Sequence, residues 1–447
     1  MDAVISDAPP APAAPARPLN RKLVFVWAGG IFLASQAAFL IGIDQPAKYY
    51  FDEFHYIPAA LAFVRHTPFI NLEHPPLAKA IMALGITLFG DNPLGWRYFS
   101  TLFGSFSLVA VYLWALAVFR ENRPALFATV ITALNQVLFV QARIGMLDIF
   151  ALAFTLWGLA AFSAAWVRFL PIPRRWLLRG AGAFFGLSAA CKWSGFTPLL
   201  LVILIVVIVK VFQGWKVYFR NPAPEDWYQP DLWKEIGAGE WLLSLLVCPI
   251  GAYYLAYACM GLNALLPLNF IAAQMRIWGD QSTLSGTHPY MSGWLEWPIL
   301  RRPTLYFFEG AKWDTPDAYA QAVLFLGNPV VAWGGLVATA ACLVGWISGR
   351  RRDAFIIVAA YAGLWLSWAI IPRHLTFAFY YLPATCVLGL ALAYVFYRTP
   401  LARRPWLGWG FLIAAGAMFL YFLPISSAAV HVSEPGFNSA MWFKSWR

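Results

Sequence analysis

The chain has 447 residues, of which 61% are hydrophobic and 12% charged, and its net charge is +11. Soluble domains carry about 25% charged residues, and a bilayer-spanning helix needs roughly 20 apolar residues in a row. The sequence supplies many such runs. A soluble globular protein is excluded, and a polytopic helical membrane protein is expected. The basic excess is no nucleic-acid signal, because Lys and Arg gather in the cytoplasmic loops of such proteins.

Residues 1–22 are rich in Pro and Ala and read as a disordered cytoplasmic N-terminus. The first apolar run follows Arg21 and Lys22 and is too long for the core of a signal peptide. In chain order, spans are predicted over 23–43, 96–118, 124–141, 146–167, 177–191, 195–212, 240–261, 328–347, 353–371, 378–397 and 406–424. An N-terminal transmembrane module then covers 23–261, and a C-terminal one covers 328–447. With the N-terminus inside, the basic residues Arg120, Arg123, Arg174, Arg175, Arg179, Arg350, Arg351, Arg398, Arg403 and Arg404 all fall in cytoplasmic loops, as the positive-inside bias requires. Eleven spans put the C-terminus outside. Two long outer segments result, 44–95 and 262–327. Within the first, 74–90 is too short to span and reads as a helix along the interface. The cysteines lack metal-ligand spacing and read as packing residues.

Several charges on the outer side ask for a reason. Asp52 and Glu53 stand side by side in "KYYFDEFHYIPAA". Lys79, Arg97, Arg143, Arg373 and His374 lie on or near the same side, with Asp148 five residues after Arg143. Ionisable groups at membrane depth are costly and mark sites. Outward cations suit a phosphate-headed lipid. A carboxylate would serve as general base on an incoming nucleophile. A phosphate leaving group departs as a stable anion, so charge stabilisation suffices and no metal or other cofactor is required. Each residue also has a plain structural reading: solvated loop charges for Asp52 and Glu53, snorkelling anchors for Arg97 and Arg143, and a helix start for His74.

The segments "FDEFHY" (51–56), "EHPPLAKAI" (73–81), "WRYFSTLFGSFSLVAVY" (96–112), "QARIGMLDIFALAF" (141–154), "GLSAACKWSGF" (186–196), "THPYMSGWLEWPILRRP" (287–303), "LGNPVVAWGGL" (326–336) and "PRHLTFAFYYLPA" (372–384) follow one another here. In that order they resemble the protein O-mannosyltransferases. The resemblance implies an all-α GT-C membrane fold with about eleven transmembrane helices and two large periplasmic loops. It also implies inverting transfer of mannose from a polyprenyl-phosphate-mannose donor to Ser or Thr hydroxyls of proteins, in a bacterial inner membrane.

By the same resemblance, Asp52 and Glu53 form the catalytic acidic pair. Asp52 is assigned as base and Glu53 as an orienting or structural group, with the reverse assignment left open. Lys79, Arg97, Arg143, Arg373 and His374 would bind the donor phosphate, supported by His74, Asp148, His288 and Tyr290. Leu72 stands where the family often has an acidic residue, and Ala78 where it usually has Gly. The outer loop of about 65 residues is too short for the β-trefoil domain of eukaryotic relatives, which points to a bacterial member. Two rivals are weighed: a related GT-C enzyme that modifies a lipid such as lipid A, and a transporter or flippase. The latter should show charged or broken helices at the midplane and internal repeats, and no repeat is evident.

Overall fold

The computed structural model describes residues 20–68, 70–167, 170, 172–218, 235–258, 268–283, 286–310 and 319–447. The expected N-terminal segment up to residue 19, and parts of the 262–327 loop, lie outside the described residues. After α1 (Arg21–Leu40), the chain forms two short helices, α2 (Glu53–Val64) and α3 (Leu77–Phe89). It then runs through α4 (Pro93–Phe119), α5 (Asn122–Ala133), α6 (Gln136–Gln141), α7 (Leu147–Val167), α8 (Arg174–Cys191) and α9 (Phe196–Tyr218). Next come α10 (Ala238–Leu242) and α11 (Cys248–Ala258), continuous through one π turn, then α12 (Leu268–Ser282), β1 (Thr304–Gly310) and β2 (Tyr319–Phe325). The chain ends with α13 (Pro329–Gly349), α14 (Arg352–Leu366), α15 (Leu382–Arg398), α16 (Pro405–Phe422), α17 (Pro424–Ser427), β3 (Val432–Ser433) and α18 (Glu434–Ala440).

The helical membrane frame is the expected one. Among the described residues, eight helical stretches are long and apolar enough to cross a bilayer: α1, α4, α7, α9 with its preceding turn, α10–α11, α13, α15 with its preceding turn, and α16. The other three expected spans are less regular. Span 124–141 is two helices, α5 and α6, broken at Leu134–Asn135. The break is stitched to the start of α13. The Asn328 side chain donates to the Leu134 carbonyl at 2.9 Å, and the Asn135 side chain accepts from the Asn328 N–H at 3.0 Å. Helix α8 carries Arg174, Arg175 and Arg179 near its start, and α14 has 15 residues.

Helices α4, α7 and α15 are mostly buried, whereas α1, α13 and α16 present apolar side chains outward. That division suits a bundle in lipid, where exposed Leu, Ile and Phe need no partner. Close approach is set by small residues. In "GAFFG" on α8, a Cβ at Gly182 would lie 1.8 Å from the Ser244 carbonyl oxygen, and one at Gly186 would lie 2.2 Å from that of Pro249. Only hydrogen at these positions lets α8 lie against the π turn and α11.

The loops sort onto two faces. On one, Arg120 bonds the Val167 carbonyl, and Arg398 reaches Glu121 at 2.8 Å and Asp353 at 3.6 Å. These are the basic loops that the charge bias assigned to the cytoplasm. On the other face, the 41–52 stretch meets β1 through Lys48–Glu309 at 2.6 Å and Tyr50 against Phe307. A feature unforeseen in the sequence sits here, an antiparallel sheet in the order β1-β2-β3. It joins the 304–325 hairpin to the C-terminal tail, and Trp446 donates to the Leu300 carbonyl at 2.6 Å.

Gly186→Leu is expected to destabilise the protein by about 1–3 kcal/mol or more through overpacking. A thermal unfolding scan in detergent checks this, and an unchanged midpoint would show that α8 and α11 can separate freely.

Candidate active site

The acidic pair sits where α2 begins. Phe51 adopts φ 49°, a left-handed conformation that costs roughly 1–2 kcal/mol for a non-glycine residue. It is held there by its ring, stacked 4.2 Å from Tyr306 and edged by Phe379 at 5.8 Å. The turn delivers Asp52 to the N-cap of α2 and Glu53 to its first helical position. Neighbouring residues on a helix point about 100° apart, so the two carboxylates face different surroundings.

Glu53 is fully buried and consumed by partners. Arg97 on α4 grips it with two parallel hydrogen bonds, Nε to Oε1 at 2.8 Å and Nη2 to Oε2 at 2.9 Å. The Gly145 N–H adds a third at 2.8 Å and the Tyr50 N–H a fourth at 3.3 Å. The site around Gly145 is close-packed: a Cβ there would lie 2.7 Å from the Ile57 terminal methyl and 3.4 Å from Glu53 Oε1. Such a carboxylate has no lone pair free for an incoming hydroxyl.

Asp52 makes no capping bond and opens instead on a cavity of about 450 Å³. The cavity is lined by His55, Tyr56, His74, Lys192, His288 and Arg373, with Phe51, Phe377, Phe379 and Tyr380 as its aromatic wall. Burial pushes the Asp52 carboxyl up to about 6; Lys192, His55 and a hydrogen bond with the Tyr56 side chain pull it down, and Asp148 pushes it further up. Desolvation therefore outweighs the neighbouring cations and the helix N-terminus. His74 is held well below the ordinary histidine range, by burial first and then by Lys192, Lys79 and Arg373. It is a neutral imidazole that can donate and accept but adds no charge.

Two cations line this cavity. Lys192, at the C-terminal end of α8, pairs with Asp148 at 2.8 and 2.9 Å and lies 4.8 Å from the Tyr380 ring centroid. Arg373 lies 5.2 Å from the same ring and donates Nε to the Leu375 carbonyl at 3.0 Å. Asp148 compensates Lys192, which leaves Arg373 as a net positive charge facing Asp52 across the space. The sequence reading missed Lys192. It stood in the quoted "GLSAACKWSGF", and its only signal was a charge at the end of an apolar run opposite the Asp148 helix.

Three expected phosphate ligands are elsewhere. Lys79 is fully buried, and its ammonium donates to the Asn71 carbonyl at 2.6 Å, to the Asn71 side chain at 3.2 Å and to the His74 carbonyl at 2.8 Å. These bonds make it a backbone clamp under the "HPP" turn, and burial lowers it to about 7. Arg97, besides Glu53, bonds the carbonyls of Ile43, Pro46 and Lys48 at 2.9–3.1 Å. Arg143 bonds those of Phe39, Ile41 and Gly42 at 2.5–2.9 Å. All three lie outside the cavity lining because carbonyls of the 39–48 and 71–74 turns already take their donors. His374 is exposed and also outside it. Of the supporting residues, His288 lines the cavity, its Nδ1 accepting from the Tyr290 N–H at 3.1 Å. Tyr290 itself packs by Arg302, 5.9 Å away. Asp148 acts through Lys192. Among the described residues, no group of three or more His, Cys, Asp or Glu is placed to hold a metal ion.

The fold of this bundle of spanning helices is that of the GT-C membrane glycosyltransferases. The structure of the Saccharomyces cerevisiae protein O-mannosyltransferase Pmt1–Pmt2 complex bound to the sugar donor superposes with a TM-score of 0.76 at 14% identity, over 95% of this chain and 93% of that one. ArnT from Cupriavidus metallidurans bound to undecaprenyl phosphate gives 0.56 at 15% identity, over 89% and 62%. In sequence, residues 268–446 match the C-terminal four-transmembrane region of protein O-mannosyltransferase, and residues 73–224 match the dolichyl-phosphate-mannose-protein mannosyltransferase family. The polyprenol-phosphate-mannose–protein mannosyltransferase of Mycobacterium tuberculosis is 26% identical across 99% of this chain and 96% of its own length. The chain belongs to the protein O-mannosyltransferase family.

Breaking the buried pair with Arg97→Ala should cost about 3–5 kcal/mol, because it strands a buried carboxylate. Loss of folded protein in detergent, measured by size-exclusion chromatography, is the expected readout. Arg143→Ala is expected to lower the unfolding midpoint while leaving donor KM within about twofold, since its hydrogen bonds serve backbone carbonyls; a large rise in donor KM at wild-type stability would return Arg143 to the donor site.

Proposed function

We propose that this protein transfers mannose from a polyprenyl-phosphate-mannose donor to Ser or Thr hydroxyls of proteins, with inversion, at the periplasmic face of a bacterial inner membrane. The N-terminus then lies in the cytoplasm and the C-terminus outside. The observation that carries this reading is the Asp52 carboxylate, hydrogen-bonded to Tyr56 and lining, with Arg373 and Lys192, a cavity large enough for a hexosyl phosphate. The names of the full-length relatives supply the donor and the acceptor class, and favour a protein acceptor over a lipid one.

Asp52 accepts the proton of the acceptor hydroxyl as its oxygen attacks the anomeric carbon. The bond from that carbon to the phosphate oxygen breaks on the opposite face, and its electron pair leaves with the polyprenyl phosphate. Arg373 and Lys192 stabilise the charge that grows on the departing phosphate, where preorganised cations act most strongly in a dry site. The leaving group needs no proton, so one base suffices, and the donor set calls for no metal; unchanged transfer in EDTA would support that. His74 and His288 are placed to hydrogen-bond the sugar or the acceptor. Glu53 acts by holding the turn that aims Asp52.

Asp52→Asn is expected to lower kcat by about 10²–10⁴-fold, the usual contribution of a positioned base. Because ionising Asp52 in the fold is unfavourable, Asn at this position should leave the unfolding midpoint at pH 7 unchanged or a few degrees higher. Near-wild-type transfer by this variant, assayed with polyprenyl-phosphate mannose and a Ser/Thr peptide, would remove Asp52 from the chemistry. The base works only when deprotonated, and its carboxyl sits at about 6. Transfer should therefore rise with pH through about 6 and level off above it. A flat profile from pH 5 to about 7.5 would contradict the assignment.

A further inference from the structure

We infer that Gln281, on α12, is a positioning residue that aims the Arg373 guanidinium into the cavity; this rests on the proposed role of Arg373 at the donor phosphate. Gln281 and Arg373 are 92 residues apart and come from different elements. The Gln281 side-chain oxygen accepts from Arg373 Nη1, and its Nε2 donates to the Glu73 carbonyl at 3.0 Å. Both partners fix which way the amide points, because arginine only donates and a carbonyl only accepts. Glutamine is the side chain with the reach and the mixed donor–acceptor character to serve both at once.

The arrangement pins Arg373 on three sides. The Leu375 carbonyl takes Nε, Gln281 takes Nη1, and the guanidinium lies 5.2 Å from the Tyr380 ring centroid. Among the described residues, Nη2 is left to face a ligand. An arginine held this way loses less side-chain entropy on gripping an anion than a free one. The other end of the tie is equally firm. Glu73 precedes His74, a cavity residue, in the turn that Lys79 clamps from α3. Gln281 therefore fastens α12 to both the "HPP" turn and the donor cation.

The neighbourhood of α12 explains why such a tie is needed. Its Ile271, Met275 and Trp278 form an exposed apolar stripe at positions i, i+4 and i+7, the pattern of a helix lying in a membrane interface. On its protein side, Gln274 accepts from the Tyr253 hydroxyl at 2.6 Å and Gln281 reaches the cavity. The helix is anchored in protein by two glutamines, one to α11 and one to the site.

The test measures steady-state transfer and, separately, binding of polyprenyl phosphate alone, for wild type, Gln281→Met, Arg373→Ala and the double variant. Gln281→Met keeps volume and removes both hydrogen bonds. It should lower kcat/KM for the donor and weaken polyprenyl-phosphate binding, each by about tenfold, and should add nothing in the Arg373→Ala background. Gln281→Glu keeps the acceptor atom but cancels the cation, and should also weaken polyprenyl-phosphate binding. It stands in where the Met variant does not fold. Additive effects of Gln281→Met and Arg373→Ala, or unchanged polyprenyl-phosphate binding by Gln281→Met, would overturn the inference. Failure of the wild type to transfer mannose while still binding polyprenyl phosphate in a Gln281-dependent way would overturn the proposed activity and leave the positioning role standing.

Discussion

Everything at the site hangs on one buried ion pair, Glu53 with Arg97. Removing two charges from water costs several kcal/mol per ion, and such a pair survives only when every remaining donor and acceptor is satisfied. Here they are. The carboxylate takes the fork of Arg97 and the N–H groups of Gly145 and Tyr50, while the guanidinium spends its other protons on the carbonyls of Ile43, Pro46 and Lys48. One interaction thereby joins the turn after α1, the start of α2, the body of α4 and the loop before α7. The Asp52 backbone has no freedom once these four are joined.

From that constraint the division of labour follows. A helix start that buries one carboxylate among donors turns its neighbour about 100° away, and Asp52 so turned lines the cavity. Burial raises Asp52 toward neutrality without protonating it at physiological pH, which suits a base. The cations opposite are held in place by aromatic faces and by Asp148, which sets two positive groups where a phosphate can meet them. Arg143 and Lys79 repeat the Arg97 strategy, bonding backbone carbonyls at turns that would otherwise bury them unpaired. The outer face is thus rich in cations for two different reasons, and only part of that richness concerns a ligand.

How much of this was legible in the sequence differs from element to element. Apolar run length and the placement of basic loops gave the membrane frame and the sorting of loops onto two faces. The small sheet was invisible, because β1 and β2 are short and sit inside an aromatic outer segment, and β2 pairs with a tail more than a hundred residues away. The acidic pair was legible as a pair. Which carboxylate faces the cavity depends on a 100° rotation between helical neighbours, and linear sequence does not carry that. Lys79, Arg97 and Arg143 were read as phosphate ligands because a cation on the outer side looks the same whether it meets a lipid or a carbonyl. Lys192 and Gln281 escaped for the converse reason: each looks ordinary in its own stretch, and only the fold brings it to the cavity.

The central claim is that donor phosphate and base meet across this one cavity. The most direct measurement is a structure of the protein with a non-transferable polyprenyl-phosphate sugar analogue in a lipid nanodisc. The account predicts the phosphate against Arg373 and Lys192, with the anomeric carbon on the Asp52 side and Glu53 still paired with Arg97. A phosphate seated on Arg97 or Arg143, or a sugar approached by Glu53 rather than Asp52, would contradict it.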